Sequence, residues 1–83
     1  MKPIRIYTTK ICPYCISAKR LLEARKLSYE EVSVSDPKAR VELSEKSGMR
    51  TVPVIYIGEE LVGGFTELDA LDKAGRLMEM VGS

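Results

Sequence analysis

The stretch Thr8-Thr9-Lys10-Ile11-Cys12-Pro13-Tyr14-Cys15 contains both cysteines of the 83-residue chain. Upstream, Ile4, Ile6 and Thr8 alternate with Arg5 and Tyr7, which predicts a first strand near residues 3–8. Downstream, Pro13 follows Cys12 directly. Proline is tolerated at the first helical position, where its missing N–H would be unpaired anyway. Cys12 is therefore expected at the N-cap of a helix over about residues 13–26. Cys15, Ala18, Leu21 and Leu22 form one apolar stripe on that helix, with Lys19, Arg20 and Glu23 on the wetter side. Arg25 and Lys26 are expected in its last turn, where cations suit the helix dipole.

This placement gives the two sulfurs different prospects. The thiolate is the nucleophile, and helix N-termini or nearby cations can depress a cysteine pKa to about 3.5–7.5. Cys12 faces unpaired N–H groups at the helix start, and Lys10 adds a nearby cation. Cys15 lies one turn inside, within reach of Cys12 but less exposed. The expected cycle is attack by Cys12 on a disulfide, then displacement of the mixed disulfide by Cys15 or an external thiol. A bridge between residues so close in sequence would restrict the unfolded chain little, which argues against a structural disulfide. Two buried thiols without chemistry are the bland alternative.

Composition narrows the field. Hydrophobic residues at 45% and charged residues at 30% fit one globular domain, residues 1–83, rather than a disordered chain. A net charge of +1 with no long run of like charge points to neither nucleic acid nor a membrane surface. No apolar run of spanning length or secretory h-region is visible, so the expected setting is soluble and cytoplasmic. There is no histidine, and one CxxC leaves a closed zinc site short of ligands, so no metal is expected.

The rest of the chain reads as scaffold. Tyr29–Val34 is expected as a second strand, parallel to the first across the helix. Asp36 and Pro37 start a second helix that Gly48 stops, with Ala39, Val41 and Leu43 facing inward. Val52–Ile57 is a buried strand, Gly58-Glu59-Glu60 a turn, and Leu61-Val62-Gly63 an antiparallel return. Thr66 is expected to cap a last helix reaching about Met80, with Asp69 completing a capping box. Its inner stripe is Leu68, Leu71, Ala74 and Met78.

Three motifs in this order resemble the glutaredoxin family. Cys12-Pro13-Tyr14-Cys15 matches its dithiol centre, Thr51-Val52-Pro53 its threonine–valine–cis-proline turn, and Gly63-Gly64-Phe65-Thr66-Glu67 the double-glycine segment opening its last helix. The resemblance implies a thioredoxin-like α/β fold, βαβαββα, with a four-stranded mixed sheet flanked by three helices. It also implies glutathione-dependent reduction of protein disulfides and glutathione mixed disulfides. Glutathione is the implied co-substrate. Disulfide-bearing or glutathionylated proteins, ribonucleotide reductase among them, are the implied clients of a monomer.

The implied glutathione site follows residue by residue. Val52, before Pro53, would offer backbone groups to the extended tripeptide as a strand edge does. Backbone N–H groups at Thr66 and Glu67, beside Gly64, would hold the γ-glutamyl carboxylate. Thr51 and Tyr14 would line the groove, and Arg40 and Lys10 would face the glycyl carboxylate. Two departures stand out: the family's lysine three positions before the first cysteine is Thr9 here, with Lys10 one residue nearer, and its frequent aspartate is Glu67. Three rival readings are an iron–sulfur carrier, a glutaredoxin-like donor served by thioredoxin reductase, and an interaction module without turnover.

Overall fold

The computed structural model describes residues 2–10, 12–49 and 51–82. Ile11, inside the cysteine stretch, lies outside the described residues. The elements are β1 (Ile4–Thr8), α1 (Pro13–Ala24), β2 (Glu30–Ser33), α2 (Pro37–Ser47), β3 (Val54–Ile57), β4 (Glu60–Gly63), α3 (Phe65–Lys73) and α4 (Leu77–Gly82). The sheet order is β2-β1-β3-β4. β1 pairs parallel with β2 and antiparallel with β3, and β3 pairs antiparallel with β4. The expected mixed sheet is present, with a fourth, short helix after the three expected ones.

The alternation along each strand decides which helix lies on which face. Ile4 and Ile6 of β1 and Ile55 and Ile57 of β3 pack with Ala18 and Leu22 of α1, Leu68 of α3, and Leu77 and Val81 of α4. The opposite face is smaller: Val34, Leu43 and Val54 are buried there, with Tyr7, Ala39 and Tyr56 partly covered. α2 thus lies alone on that side. Its middle apolar residue, expected inward, is not: Val41 is 57% exposed, and Leu43 alone of the three is fully buried. One buried position per helix gives α2 little apolar area to bury.

Helix ends account for most differences from the sequence reading. α1 stops at Ala24, so Arg25 becomes its C-cap and Lys26 takes a left-handed φ of 58° beyond it. Arg25 then serves a different partner, forking onto Asp72 of α3 at 2.7 and 2.8 Å. α2 ends as expected, with Gly48 left-handed at φ 75°. The last helix does not run through: the chain turns at Gly75, φ 74°, between α3 and α4. The turn changes the inner stripe, burying Leu77 and Val81 while Ala74 and Met78 stay exposed. α4 also secures the start of the sheet, since the Lys2 N–H donates to the Val81 carbonyl at 2.8 Å.

Among the described residues no helix is long and apolar enough to cross a membrane. The two-sided core makes a clear stability test. Leu22 is fully buried, so Leu22→Ala should cost about 2–5 kcal/mol in urea unfolding. Val41→Ser on exposed α2 should stay within about 0.5 kcal/mol of wild type.

Candidate active site

Four chain segments meet at one end of the sheet. The loop after β1 carries the sulfur pair into α1, and the segment before β3 and the start of α3 face it. Cys12 is the N-cap of α1, in extended backbone geometry. Its Sγ accepts the Cys15 N–H at 3.2 Å, so a sulfur takes the role an oxygen usually has at this position. The Cys12 carbonyl accepts from Cys15 and Ile16, opening the helix. On its other side the Cys12 thiol donates to the Val52 carbonyl at 3.6 Å. Both cysteines are free thiols, 8% and 2% exposed for Cys12 and Cys15.

The sulfurs are chemically unequal. Burial pushes the Cys15 thiol up to about 12, the hydrogen bond with Cys12 adding to it, while a Thr9 backbone hydrogen bond and the Lys19 charge oppose the rise. Burial disfavours an anion there because few solvent dipoles can reach it.

The Val52–Pro53 peptide is cis, as the family motif implies. Beside it runs a groove of about 420 Å³, lined by Tyr14, Met49, Thr51, Val52, Pro53, Gly64, Phe65, Thr66 and Glu67. Seven of the residues expected around glutathione are therefore together: Tyr14, Thr51, Val52, Pro53, Gly64, Thr66 and Glu67. Lys10 and Arg40 are not among the lining residues. The Lys10 backbone N–H donates to Ser35 Oγ at 3.3 Å, and the Arg40 N–H donates to Asp36 in the first turn of α2. Met49 and Phe65 were not foreseen as lining residues. Phe65 sits 6.5 Å, centroid to centroid, from Tyr14, which is 64% exposed. An apolar residue just after a double glycine was the available signal for Phe65.

The start of α3 corrects the expected cap. Gly64, not Thr66, is the N-cap, and Thr66 lies inside the helix. The Gly64 N–H donates to Glu67 Oε1 at 3.1 Å, the reach-back half of a capping box. Thr66 with Asp69 does not form the box. Asp69 instead pairs with Lys73 at 2.9 Å. The structure accounts for one glycine of the pair. Gly63 has φ 121° and any Cβ there would stand 2.7 Å from Glu67 Oε1. A Cβ on Gly64 would stand 3.4 Å from the Pro53 carbonyl oxygen, an ordinary contact, so the approach of α3 to the proline segment does not itself require glycine there.

A larger hollow of about 620 Å³ opens on the α2 side, lined by Arg5, Tyr7, Glu30, Lys46, Tyr56 and neighbours, and holds neither cysteine. Arg5 pairs with Glu30 at 3.2 Å, and Lys46 lies 5.5 Å from the Tyr56 ring centroid. It reads as sheet face that α2 leaves uncovered. Among the described residues no cluster of three or more His, Cys, Asp or Glu side chains could hold a metal ion.

The glutaredoxin family model matches residues 4–62, which spans β1 through most of β4 and includes both cysteines and the cis-proline. The chain belongs to the glutaredoxin family. A glutaredoxin of Pseudomonas aeruginosa is 49% identical over 78 residues, covering 93% of each chain. Glutaredoxin 3 of Escherichia coli is 41% identical over 78 residues, covering 93% of this chain and 94% of its own. The solution structure of glutaredoxin from Brucella melitensis superimposes with a TM-score of 0.85 at 40% identity, over 100% of this chain and 94% of that one. A crystal structure of a buckwheat glutaredoxin–glutathione complex shares the fold at TM-score 0.89 and 24% identity, over 98% of this chain and 77% of that one. Glutaredoxins are thiol–disulfide oxidoreductases, and this glutaredoxin carries that general activity.

The raised Cys15 thiol has a pH consequence with a definite sign. In the unfolded chain the thiol ionises near its ordinary value of 9.0, in the folded chain only near about 12. Between those values the unfolded state has already lost the proton that the folded state still holds. The stability Cys15 contributes is therefore complete below about 9 and drains away as pH rises toward about 12. Urea midpoints measured stepwise above pH 9 should fall less steeply for Cys15→Ala than for wild type.

Proposed function

We propose that the chain is a dithiol, glutathione-dependent disulfide oxidoreductase in which Cys12 is the nucleophile and Cys15 the resolving thiol. One observation carries the reading. The Cys12 sulfur sits between the first turn of α1 and the Val52 carbonyl, beside the groove that Val52 itself lines. A disulfide approaching along the groove would meet Cys12 before the more buried Cys15.

In the proposed cycle the Cys12 thiolate attacks one sulfur of the substrate disulfide. A Cys12 mixed disulfide forms, and the other sulfur leaves as a thiolate that takes up a proton. Glutathione or Cys15 then displaces the bound group. The Cys15 N–H donates to the Cys12 sulfur at 3.2 Å, where it can stabilise charge as Cys12 attacks or leaves.

The groove suits an extended tripeptide with two carboxylates. Val52 contributes a backbone edge that can pair with an extended peptide. Once Cys12 has no proton to donate, the Val52 carbonyl is free for a ligand N–H. The N–H groups at the start of α3, around Thr66 and Glu67, suit the γ-glutamyl carboxylate. Glu67 already engages Gly64 N–H and supplies negative charge there, so the anion would use the following donors. Lys10 and Arg40 lie beyond the groove's lining and would meet the glycyl carboxylate at its outer end. The buckwheat neighbour is itself a glutathione complex, which supports this ligand class.

In a coupled assay with glutathione, glutathione reductase and NADPH, Cys12→Ser should abolish turnover of glutathione mixed disulfides and protein disulfides alike. Cys15→Ser should keep the first and lose most of the second. An active Cys12→Ser or a dead Cys15→Ser would reverse the assigned roles. Arg40→Glu should raise the apparent KM for glutathionylated substrate, and an unchanged KM would remove Arg40 from the site.

A further inference from the structure

Cys15 must give up its proton to attack the Cys12 mixed disulfide, yet it is 2% exposed. One turn along α1, at the i+4 position, lies Lys19. Helical Cα–Cβ bonds tilt toward the N-terminus, so the Lys19 side chain starts back toward Cys15. Its ammonium is fixed rather than free to roam. Lys19 Nζ donates to Glu31 Oε2 of β2 at 3.1 Å, and the same oxygen accepts the Thr8 hydroxyl of β1 at 2.8 Å. Thr8 is buried and is followed by Thr9, whose backbone favours the Cys15 thiolate. The Thr8 hydrogen bond first, and the Lys19 contact second, hold the Glu31 carboxyl below its ordinary range, so the tether stays ionised at neutral pH.

A half-exposed ion pair of this kind contributes little to stability. It does fix where a positive charge stands. The groups that act on the Cys15 sulfur are Cys12 and Lys19 from α1 and the Thr9 backbone from the preceding loop. Glu31 reaches the same place from β2 only through Lys19. On α3, Leu68 packs with Ala18 and Leu22 of α1 in the apolar core.

We infer that Lys19 is a positioning residue for the resolving step, a cation tethered by Glu31 and Thr8 that makes the buried Cys15 thiol ionisable when Cys12 carries a mixed disulfide. The inference rests on the dithiol reading proposed above. In the step, Cys15 loses its proton and its sulfur attacks Cys12 Sγ. The Cys12–Cys15 bond forms as the bond to the client sulfur breaks. The client thiolate leaves, and the released proton ends on it. The cysteine pair is oxidised by the two electrons that reduce the client. Glu31 both holds Lys19 and partly cancels its charge, so Glu31→Gln, which keeps an acceptor oxygen for Lys19 and Thr8 but loses the negative charge, should act in the opposite direction to removal of Lys19.

The test follows the resolving step directly. Cys12 is loaded as a mixed disulfide with thionitrobenzoate, and release of the coloured thiolate by Cys15 is timed across pH. Lys19→Met should move the release profile upward by about one pH unit. The thiolate fraction then falls about tenfold, and the greater nucleophilicity of a more basic sulfur leaves release about threefold slower at neutral pH. Lys19→Arg should restore the wild-type profile, and Glu31→Gln should speed release. An unchanged profile in Lys19→Met, or a loss that Lys19→Arg does not restore, would overturn the inference. Glu31→Gln gives an independent reading of opposite sign should Lys19→Met fail to fold, and slower or unchanged release there would also overturn it. Failure of the dithiol reading looks different: wild type itself would release no thiolate, or Cys15→Ser would release it equally well.

Discussion

A helix cannot satisfy its own first N–H groups. In this protein the acceptor that meets that need at α1 is a sulfur, Cys12 Sγ bonded by the Cys15 N–H. The rest of the active-site region is arranged around that contact. β1 delivers the chain to the helix start, Pro13 occupies a position where no N–H is lost, and the Val52 carbonyl closes the far side of the sulfur. The same hydrogen bond that starts the helix therefore also sets where the Cys12 sulfur stands.

Holding the groove open requires α1 and α3 to keep their relative placement, since both begin at it. Leu22 and Leu68 join them through the core. Arg25 and Asp72 join them again at the opposite ends, with a two-pronged contact that fixes orientation as well as distance. Gly64 brings the start of α3 into contact distance of the Pro53 carbonyl. Burial of Cys15 beneath the groove is the chemical cost of this packing. The charged tether from β2 stands where it can offset that cost.

Local chemistry made much of this legible in the sequence. Strand alternation in Ile4–Thr8, Pro13 after Cys12 and Gly48 after α2 each act within a few residues, and the structure follows them. The failures come from competing local contacts and from contacts between residues far apart in the chain. Thr66 was the expected cap, and the position goes to Gly64, to whose N–H Glu67 reaches back three residues on. The turn at Gly75 interrupts a sequence of good helix formers, and it is the burial of Leu77 and Val81 that favours it. Arg25 looked like a charge for its own helix dipole, but its partner, Asp72, lies 47 residues away. The groove was read almost whole because its residues fall in short contiguous motifs. Lys19 was placed on a wet face because its meaning depends on Glu31, a residue of another element.

The hydrogen bond between Lys2 and Val81 brings the first and last described segments side by side. They meet at the end of β1 farthest from Cys12, about a strand's length or roughly 16 Å away. A covalent tie between these two segments would leave the sulfur's surroundings intact. The architecture in effect separates a seam, where the outer segments are held together, from a working rim that the sulfur and the groove occupy.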